Sequence, residues 1–352
     1  MLKLVSFLLA PFALLYGLIV KIRNLLFDYG ILKSISFKKP VICVGNITVG
    51  GTGKTPHVEY LLKILSTSFN VATLSRGYGR KTKGFGYVTP ASTAVEVGDE
   101  PLQMKLKYPA VKVAVDADRV NGISTLIKEN PDLDAIILDD AFQHRWVKAG
   151  LQILLIDFNR LITRDYFLPM GRLRDSVKEK RRADIVLITK CPLDLSQEQK
   201  VSIINELRLS QKQSVYFTGI SYGEPQPVFQ EFGLSLELIK NQDVFAFAGI
   251  ANPISFFSHI KNRMNLVEAY TFPDHFSFSE SKLSPIIEAF IKNKSLHKSM
   301  VTTEKDAARI RGLSNLDTEI KKALFFIPIE IEFVDNQENN FINQILTYAR
   351  KN

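Results

Sequence analysis

Hydrophobic positions in this chain fall into short continuous runs bounded by Gly, Pro or polar residues: 41–45 (VICVG), "VATLS" from 71, "VKVAV" from 111, "AIILDD" from 135, "LQILLID" from 151, "DIVLITK" from 184 and "SVYFTG" from 214. Runs this short, rich in β-branched residues and apolar on both faces, predict strands of a mostly parallel sheet; the amphipathic stretches between them predict helices covering both sides. The expected architecture is an α/β/α sandwich. "SYGEPQPVFQEFG" from 221 breaks the pattern with glycines and prolines. A second, smaller α/β set follows, with "DVFAFAGI" from 243, "LVEAYTF" from 266, "SMVTTEKD" from 299 and "ALFFIPIEIEF" from 323. The pattern therefore predicts a main domain over 31–220 and a smaller one over 221–352 that closes over a cleft.

The first 30 residues read differently. "MLKLVSFLLAPFALLYGLIVKIRNLLFDYG" is uncharged from Leu4 to Val20, is interrupted by Pro11, and ends with Lys21 and Arg23. That run is at the lower limit for a spanning helix. A secreted protein would need a better small-residue cleavage site. A helix or helical pair lying in the cytoplasmic leaflet, its basic residues at the headgroups, fits best, and a buried packing helix is the alternative.

The richest local signal is "VICVGNITVGGTGKTPHVEYLL" from 41. A strand feeds a glycine-rich turn whose N–H groups can wrap a triphosphate, and a Lys-Thr pair opens the next helix, as in a phosphate-binding loop. The loop would comprise Thr48, Val49, Gly50, Gly51, Thr52, Gly53, Lys54 and Thr55, with Thr48 where the general pattern has its first glycine. Lys54 would reach the β and γ phosphates, and the Thr55 hydroxyl would ligate magnesium. Asp139 and Asp140 end the "AIILDD" strand, the edge of an α/β sheet where ligands bind, and can hold that metal. Gln143 and His144 follow in the loop, where they can contact substrate or simply face water.

Other polar clusters have bland readings too. Asp99 and Glu100 precede Pro101 as residues opening a helix do. Asp274 and His275 sit in "FPDHF", where a histidine is more often structural, though a histidine from one lobe and a carboxylate from the other could meet as a polarised base. "VTTEKDAARI" is a strand entering a helix, with Thr302 or Thr303 as cap and Glu304 in the first turn. "DIVLITKCP" is similar to the base-reading strand of GTP-binding proteins, but Pro192 stands where the guanine-specifying Asp belongs, which weakens GTP and leaves ATP.

Composition adds limits. The chain has 352 residues, 46% of them hydrophobic, and two cysteines, Cys43 and Cys191, too few and too far apart for a disulfide framework or a zinc site. The net charge of +9 is scattered, without an RNA-binding aromatic signature, so an anionic membrane surface or a phosphorylated substrate suits it and nucleic acid is not expected.

Taken in order, "VGNITVGGTGKTP", "SRGYGR" at 75, "GDEP" at 98, "DDAFQH" at 139, "LPMGRLRD" at 168, "AGIANPISFF" at 248, "FPDHF" at 272 and "VTTEKD" at 301 resemble the tetraacyldisaccharide 4'-kinase family, the lipid A kinases. Thr48 agrees with that family. Ala141, Arg172 and Asp175 depart from it where glycine, proline and glutamate are usual. The resemblance implies a P-loop enzyme on the cytoplasmic face of the bacterial inner membrane, peripheral or monotopic, using ATP and Mg2+ to phosphorylate the 4'-hydroxyl of a tetraacyldisaccharide 1-phosphate. It implies Lys54 and Thr55 on phosphate and metal, Asp139 with Asp140 holding the metal, and Asp99 paired with His275 as base. Arg76, Glu100, Arg119, Gln143, His144, Arg172 and Arg174 are the expected substrate contacts. Two rivals remain: a regulatory nucleotide hydrolase, and a membrane adaptor with a decayed nucleotide site.

Overall fold

The computed structural model describes residues 2–229, 231, 242–274, 276–313 and 315–350, the side chains of 2–8 excepted. One helix, α1 (Leu2–Asp28), opens the chain and runs through Pro11 without breaking. A single proline costs one backbone hydrogen bond, which a helix of this length absorbs.

Eight strands follow: β1 (Val41–Gly45), β2 (Val71–Ser75), β3 (Gly86–Tyr87), β4 (Lys112–Val115), β5 (Ala135–Asp139), β6 (Leu151–Asp157), β7 (Ile185–Thr189) and β8 (Ser214–Tyr222). Between them lie α2 (Lys54–Leu65), α3 (Ala94–Val97), α4 (Asp99–Lys107), α5 (Arg119–Glu129) and α6 (Gln197–Leu207). The second set comprises β9 (Gln226–Pro227), β10 (Asp243–Ala248), α7 (Ile254–Arg263), β11 (Asn265–Thr271), α8 (Glu280–Lys292), β12 (Lys298–Thr303), α9 (Glu304–Ile310), α10 (Thr318–Lys322) and β13 (Leu324–Ile327). The chain ends in β14 (Ile329–Phe333) and α11 (Glu338–Arg350).

The larger sheet has the order β14-β8-β7-β6-β1-β5-β2-β4-β3, parallel except for its two edge strands. Successive residues of its strands serve opposite cores: Val41 and Cys43 pack with Ile123, Leu126 and Ile136 on one face, Ile42 and Val44 with Leu61, Leu62 and Phe341 on the other. This is why the strands read as unbroken apolar runs. The smaller sheet, β11-β10-β12-β13-β9, buries Phe245 and Phe247 on one face and Val244, Ala246 and Ala248 on the other.

One expectation about organisation needs correction. "ALFFIPIEIEF" is two strands, and they belong to different sheets: β13 lies in the smaller sheet, while β14 pairs antiparallel with β8 at the edge of the larger one. Pro328, between them, cannot donate to a ladder and marks the break. Behind it, α11 buries Phe341 and Ile345 in the core of the larger sheet, and the Tyr348 hydroxyl bonds both backbone groups of Val41. The first lobe is thus built from both ends of the chain, and residues from 329 onward return to it.

α1 docks through one stripe, Ala13, Gly17, Val20, Asn24 and Phe27, spaced as one helical face. Gly17 is required there, because a Cβ would lie 2.7 Å from the Phe167 ring. Asn24 donates to the buried Asp175 carboxylate at 2.7 Å, the Tyr16 hydroxyl donates to the Arg174 carbonyl at 3.0 Å, and Asp28 pairs with Arg145 and Arg181. The opposite face leaves Phe12, Leu14, Leu15, Leu18, Ile19 and Ile22 exposed.

Candidate active site

The carboxyl ends of β1, β5 and β2 lie side by side where the strand order reverses, the crevice in which open α/β sheets bind ligands. From β1 the chain enters the glycine loop. Gly50 and Gly53 have φ of 102° and 82°, conformations that a side chain rarely adopts, and Lys54 begins α2. Thr48 is different: its backbone forms an antiparallel bridge with Leu173. The chain is extended at that point, so the first glycine of the general pattern is not needed.

The loop is braced from four sides. Asn46, singled out by no motif, donates to the Thr52 hydroxyl at 2.7 Å, accepts from Arg174, and through its carbonyl accepts from Gln143. Val49 N–H donates to the Arg172 carbonyl and Arg174 N–H to the Ile47 carbonyl, both at 2.8 Å. Thr189, at the end of β7, donates to the Thr52 carbonyl at 2.9 Å, and Lys190 bonds the Gly51 carbonyl and Asp157. His57 lies buried between the Gly53 carbonyl (2.7 Å) and the Thr218 hydroxyl (3.0 Å), its pKa pushed down to about 4 by burial, so it is neutral at physiological pH. The "TKCP" segment that resembles a base-reading strand thus holds loop carbonyls.

Asp139 and Asp140 are neighbours with opposite environments. Burial, and then the Asp140 charge, push Asp139 up to about 6. Its Oδ2 accepts from Ser75 at 3.1 Å, and its buried Oδ1 has no hydrogen-bond partner among the described residues. For Asp140 burial works the same way but is outweighed by Lys54 and Arg174, which hold it below the ordinary range. Arg174 grips both Asp140 oxygens, at 2.6 and 3.1 Å, and Lys54 is 3.8 Å away. Asp140, at φ 48°, is in the left-handed region that Asp tolerates better than most residues.

Several expected substrate contacts have partners within the protein. Arg174 and Gln143 hold the loop. Arg119 is buried and donates to the Asp116 and Ala117 carbonyls at 3.0 Å, its charge reaching Asp139 and Asp140 only through space. Asp140, an expected metal ligand, has both carboxylate oxygens bonded to the Arg174 guanidinium. Arg76 and Arg172 are exposed, Arg172 beside Gly50, and His144 keeps a buried Nε2 with no hydrogen-bond partner among the described residues while burial and the Arg119 charge lower its pKa to about 4. Asp139 Oδ1 and the Thr55 hydroxyl remain as the donor set that suits a hard divalent cation.

Asp99 opens α4, and two glycines bring it to this edge. Gly98 (φ 92°) packs on Gly77, where a Cβ would meet the Gly77 Cα at 3.2 Å, and Gly77 lies two residues beyond Ser75, the partner of Asp139. Glu100 is near enough to raise the Asp139 pKa. Asp99 accepts from Arg309 at 2.6 Å and Glu100 pairs with Lys305 at 3.1 Å; Lys305 also lies 3.5 Å from Asp274. His275 lies outside the described residues.

The other end of α4 carries a second charged joint. Lys107 bridges Glu59 of α2 at 2.7 Å and Glu304 of α9 at 2.8 Å, tying the phosphate-loop helix to the smaller lobe. Burial and the Glu304 charge raise Glu59 from 4.5 to about 7 despite the lysine. The folded chain thus holds a proton that the unfolded chain has released; the stability it gives is complete below about 4.5 and lost as pH rises through about 7. Lys107→Met leaves two carboxylates facing each other and should cost about 2–4 kcal/mol at pH 8, somewhat below the range for fully buried pairs because Lys107 is 28% exposed. At pH 5.5 the loss should be smaller, since a proton takes over part of the lysine's work; urea denaturation at the two pH values measures both.

A glycine loop opening a helix with Lys-Thr, an acid at the neighbouring strand end and a second lobe facing that edge define a P-loop nucleotide-binding enzyme of the phosphotransferase type. Comparison with known proteins narrows the class. A model of the tetraacyldisaccharide-1-P 4'-kinase family matches residues 5–349. The chain is 46% identical over 344 residues to the tetraacyldisaccharide 4'-kinase of Flavobacterium johnsoniae, covering 98% of this chain and 97% of that one. It is 45% identical to that of Bacteroides thetaiotaomicron, covering 98% and 93%. The crystal structure of LpxK from Aquifex aeolicus in complex with ATP superposes with a TM-score of 0.76 at 28% identity, covering 98% of this chain and 99% of that one. The chain belongs to the tetraacyldisaccharide 4'-kinase family.

Proposed function

We propose that this protein transfers the γ-phosphate of ATP to the 4'-hydroxyl of a tetraacyldisaccharide 1-phosphate in lipid A biosynthesis. The observation that carries the reading is a glycine loop opening a helix at Lys54-Thr55, beside a strand ending in Asp139, inside a chain 46% identical over 344 residues to a kinase of that name.

Lys54, with the N–H groups of residues 50–55 and the positive end of α2, binds and neutralises the triphosphate. Thr55 and Asp139 would hold Mg2+, which supplies further charge neutralisation on the phosphates. Asp140 acts through the loop, sharing Arg174 with Asn46. Asp99 accepts the proton of the sugar hydroxyl as its oxygen bonds to the γ-phosphorus and the bond to the ADP oxygen breaks. A carboxylate is too weak a base to deprotonate an alcohol beforehand, so this transfer accompanies bond formation and most of the rate comes from positioning. Exposed Arg76 and Arg172, with His144, are the side chains left to meet the acceptor, and His275 assists Asp99.

The acceptor's acyl chains stay in the bilayer, and the exposed apolar face of α1 brings the site to them at the cytoplasmic surface of the inner membrane. Leu15→Glu with Leu18→Glu should move the protein from the membrane to the soluble fraction without changing its melting temperature, because both residues are more than half exposed. The decisive assay supplies ATP, Mg2+ and tetraacyldisaccharide 1-phosphate in mixed micelles. Acceptor phosphorylation is expected; ATP hydrolysis at an equal rate with and without lipid would instead favour a nucleotide hydrolase.

A further inference from the structure

α9 reads from sequence as an ordinary capped helix, yet its last turn carries Arg309, a guanidinium only 6% exposed that reaches into the first lobe. Its Nη1 donates to Asp306 Oδ1 at 2.7 Å and to the Gly249 carbonyl at 3.2 Å; its Nη2 donates to Asp99 Oδ2 at 2.6 Å. Asp306 is itself fully buried, its Oδ2 accepting from Gly249 N–H at 2.8 Å and from the Thr303 hydroxyl at 2.7 Å. The end of β10, the end of β12 and α9 therefore converge on one arginine, whose remaining edge is spent on a carboxylate of the other lobe.

We propose that Arg309, anchored by Asp306, is a positioning residue for phosphoryl transfer: it holds the Asp99 carboxylate in one orientation, so that the second lobe sets the geometry of the base. The inference rests on the reading of Asp99 as proton acceptor. A joint that only fastened the lobes would have enough in Lys107 with Glu59 and Glu304, and in Lys305 with Glu100, which flank Arg309 on the same two helices. Arg309 adds what those flexible lysines do not, a planar fork held by Asp306 and the Gly249 carbonyl before it meets its partner. In a loose phosphoryl-transfer transition state the acceptor's orientation matters more than the strength of its base. The buried Asp306 keeps the guanidinium's charge partly balanced when Asp99 takes up a proton.

Arg309→Met, Arg309→Lys, Asp99→Asn and the double variant Arg309→Met with Asp99→Asn test this in the full-length enzyme with ATP and the disaccharide acceptor. Arg309→Met should lower kcat about 10²-fold, the scale of a misplaced reacting group, with KM for ATP within about twofold of wild type. Arg309→Lys should recover part of the loss, and the double variant should be no slower than Asp99→Asn alone, because Arg309 acts through that carboxylate. Wild-type kcat in Arg309→Met, or losses that multiply in the double variant, would overturn the proposal. If Arg309→Met does not fold, Arg309→Lys decides alone: reduced kcat at unchanged KM for ATP supports it, wild-type kcat overturns it. Full activity in Asp99→Asn would instead remove the base reading itself, whereas an inactive Asp99→Asn beside a fully active Arg309→Met would remove only the role of Arg309.

Discussion

Lys54→Met should reduce kcat/KM for ATP about 10³-fold, the upper range for removing one preorganised charge from a site of developing negative charge. Lys54 is the first residue of α2 and stands between Gly53 and the two acids at the end of β5. Methionine keeps the length and apolar stem of the lysine, so the loss belongs to the charge. Stability should change little: Lys54 lies 3.8 Å from Asp140, both groups are partly solvated, and such pairs contribute less than about 1 kcal/mol. Asp140 also keeps its two-point contact with Arg174. Steady-state kinetics with a thermal melt of the same preparation separates the two effects. A variant that melts like wild type and retains more than a tenth of its kcat/KM would exclude Lys54 from the transfer.

Asp99→Asn should lower kcat about 10²–10⁴-fold, the contribution of a positioned proton acceptor, and leave ATP binding near wild type. Asparagine preserves shape and can still accept from Arg309, but it cannot take the hydroxyl proton. ATP affinity should hold because the loop is braced by Asn46, Arg174, Thr189 and His57, none of which depends on Asp99. Nucleotide titration by calorimetry alongside single-turnover kinetics reads the two quantities independently. Equal losses in affinity and turnover would make Asp99 a structural residue of the lobe joint.

Much of this site was legible in the strand ends. Each apolar run stops where a polar residue is needed: Gly45 before the phosphate loop, Ser75 before Arg76, Asp139 before Asp140, Thr189 before Lys190. In a parallel sheet these ends share one edge, so runs of buried residues followed by chemistry locate a site before any contact is known. The division of labour was less legible. Arg174 and Gln143 carry the groups a substrate pocket would use, and only their bonds to Asp140 and Asn46 assign them to the loop. Asn46 itself follows a strand as many loop residues do, its one sequence signal being a place inside the glycine motif. Arg309 had less still, because helix propensity and capping account for "TEKDAARI" in full.

The C-terminal strands show the same limit. The unbroken "LFFI" and the alternating "IEIEF" differ in period on either side of Pro328, the mark of a strand buried on both faces followed by one at an edge. The sheet each joins depends on partners distant in the chain.

Sequence alone determined the class of fold, the phosphate loop and the apolar N-terminal face, because strand periodicity, glycine's backbone freedom and uncharged length are local properties of consecutive residues. Tertiary structure alone decided that Arg174 serves the loop, that β14 and α11 complete the first lobe, and that Asp99 answers to Arg309, 210 residues away. Those outcomes depend on which buried charge finds which partner. Several arrangements satisfy the same charges, and only the packed chain selects one.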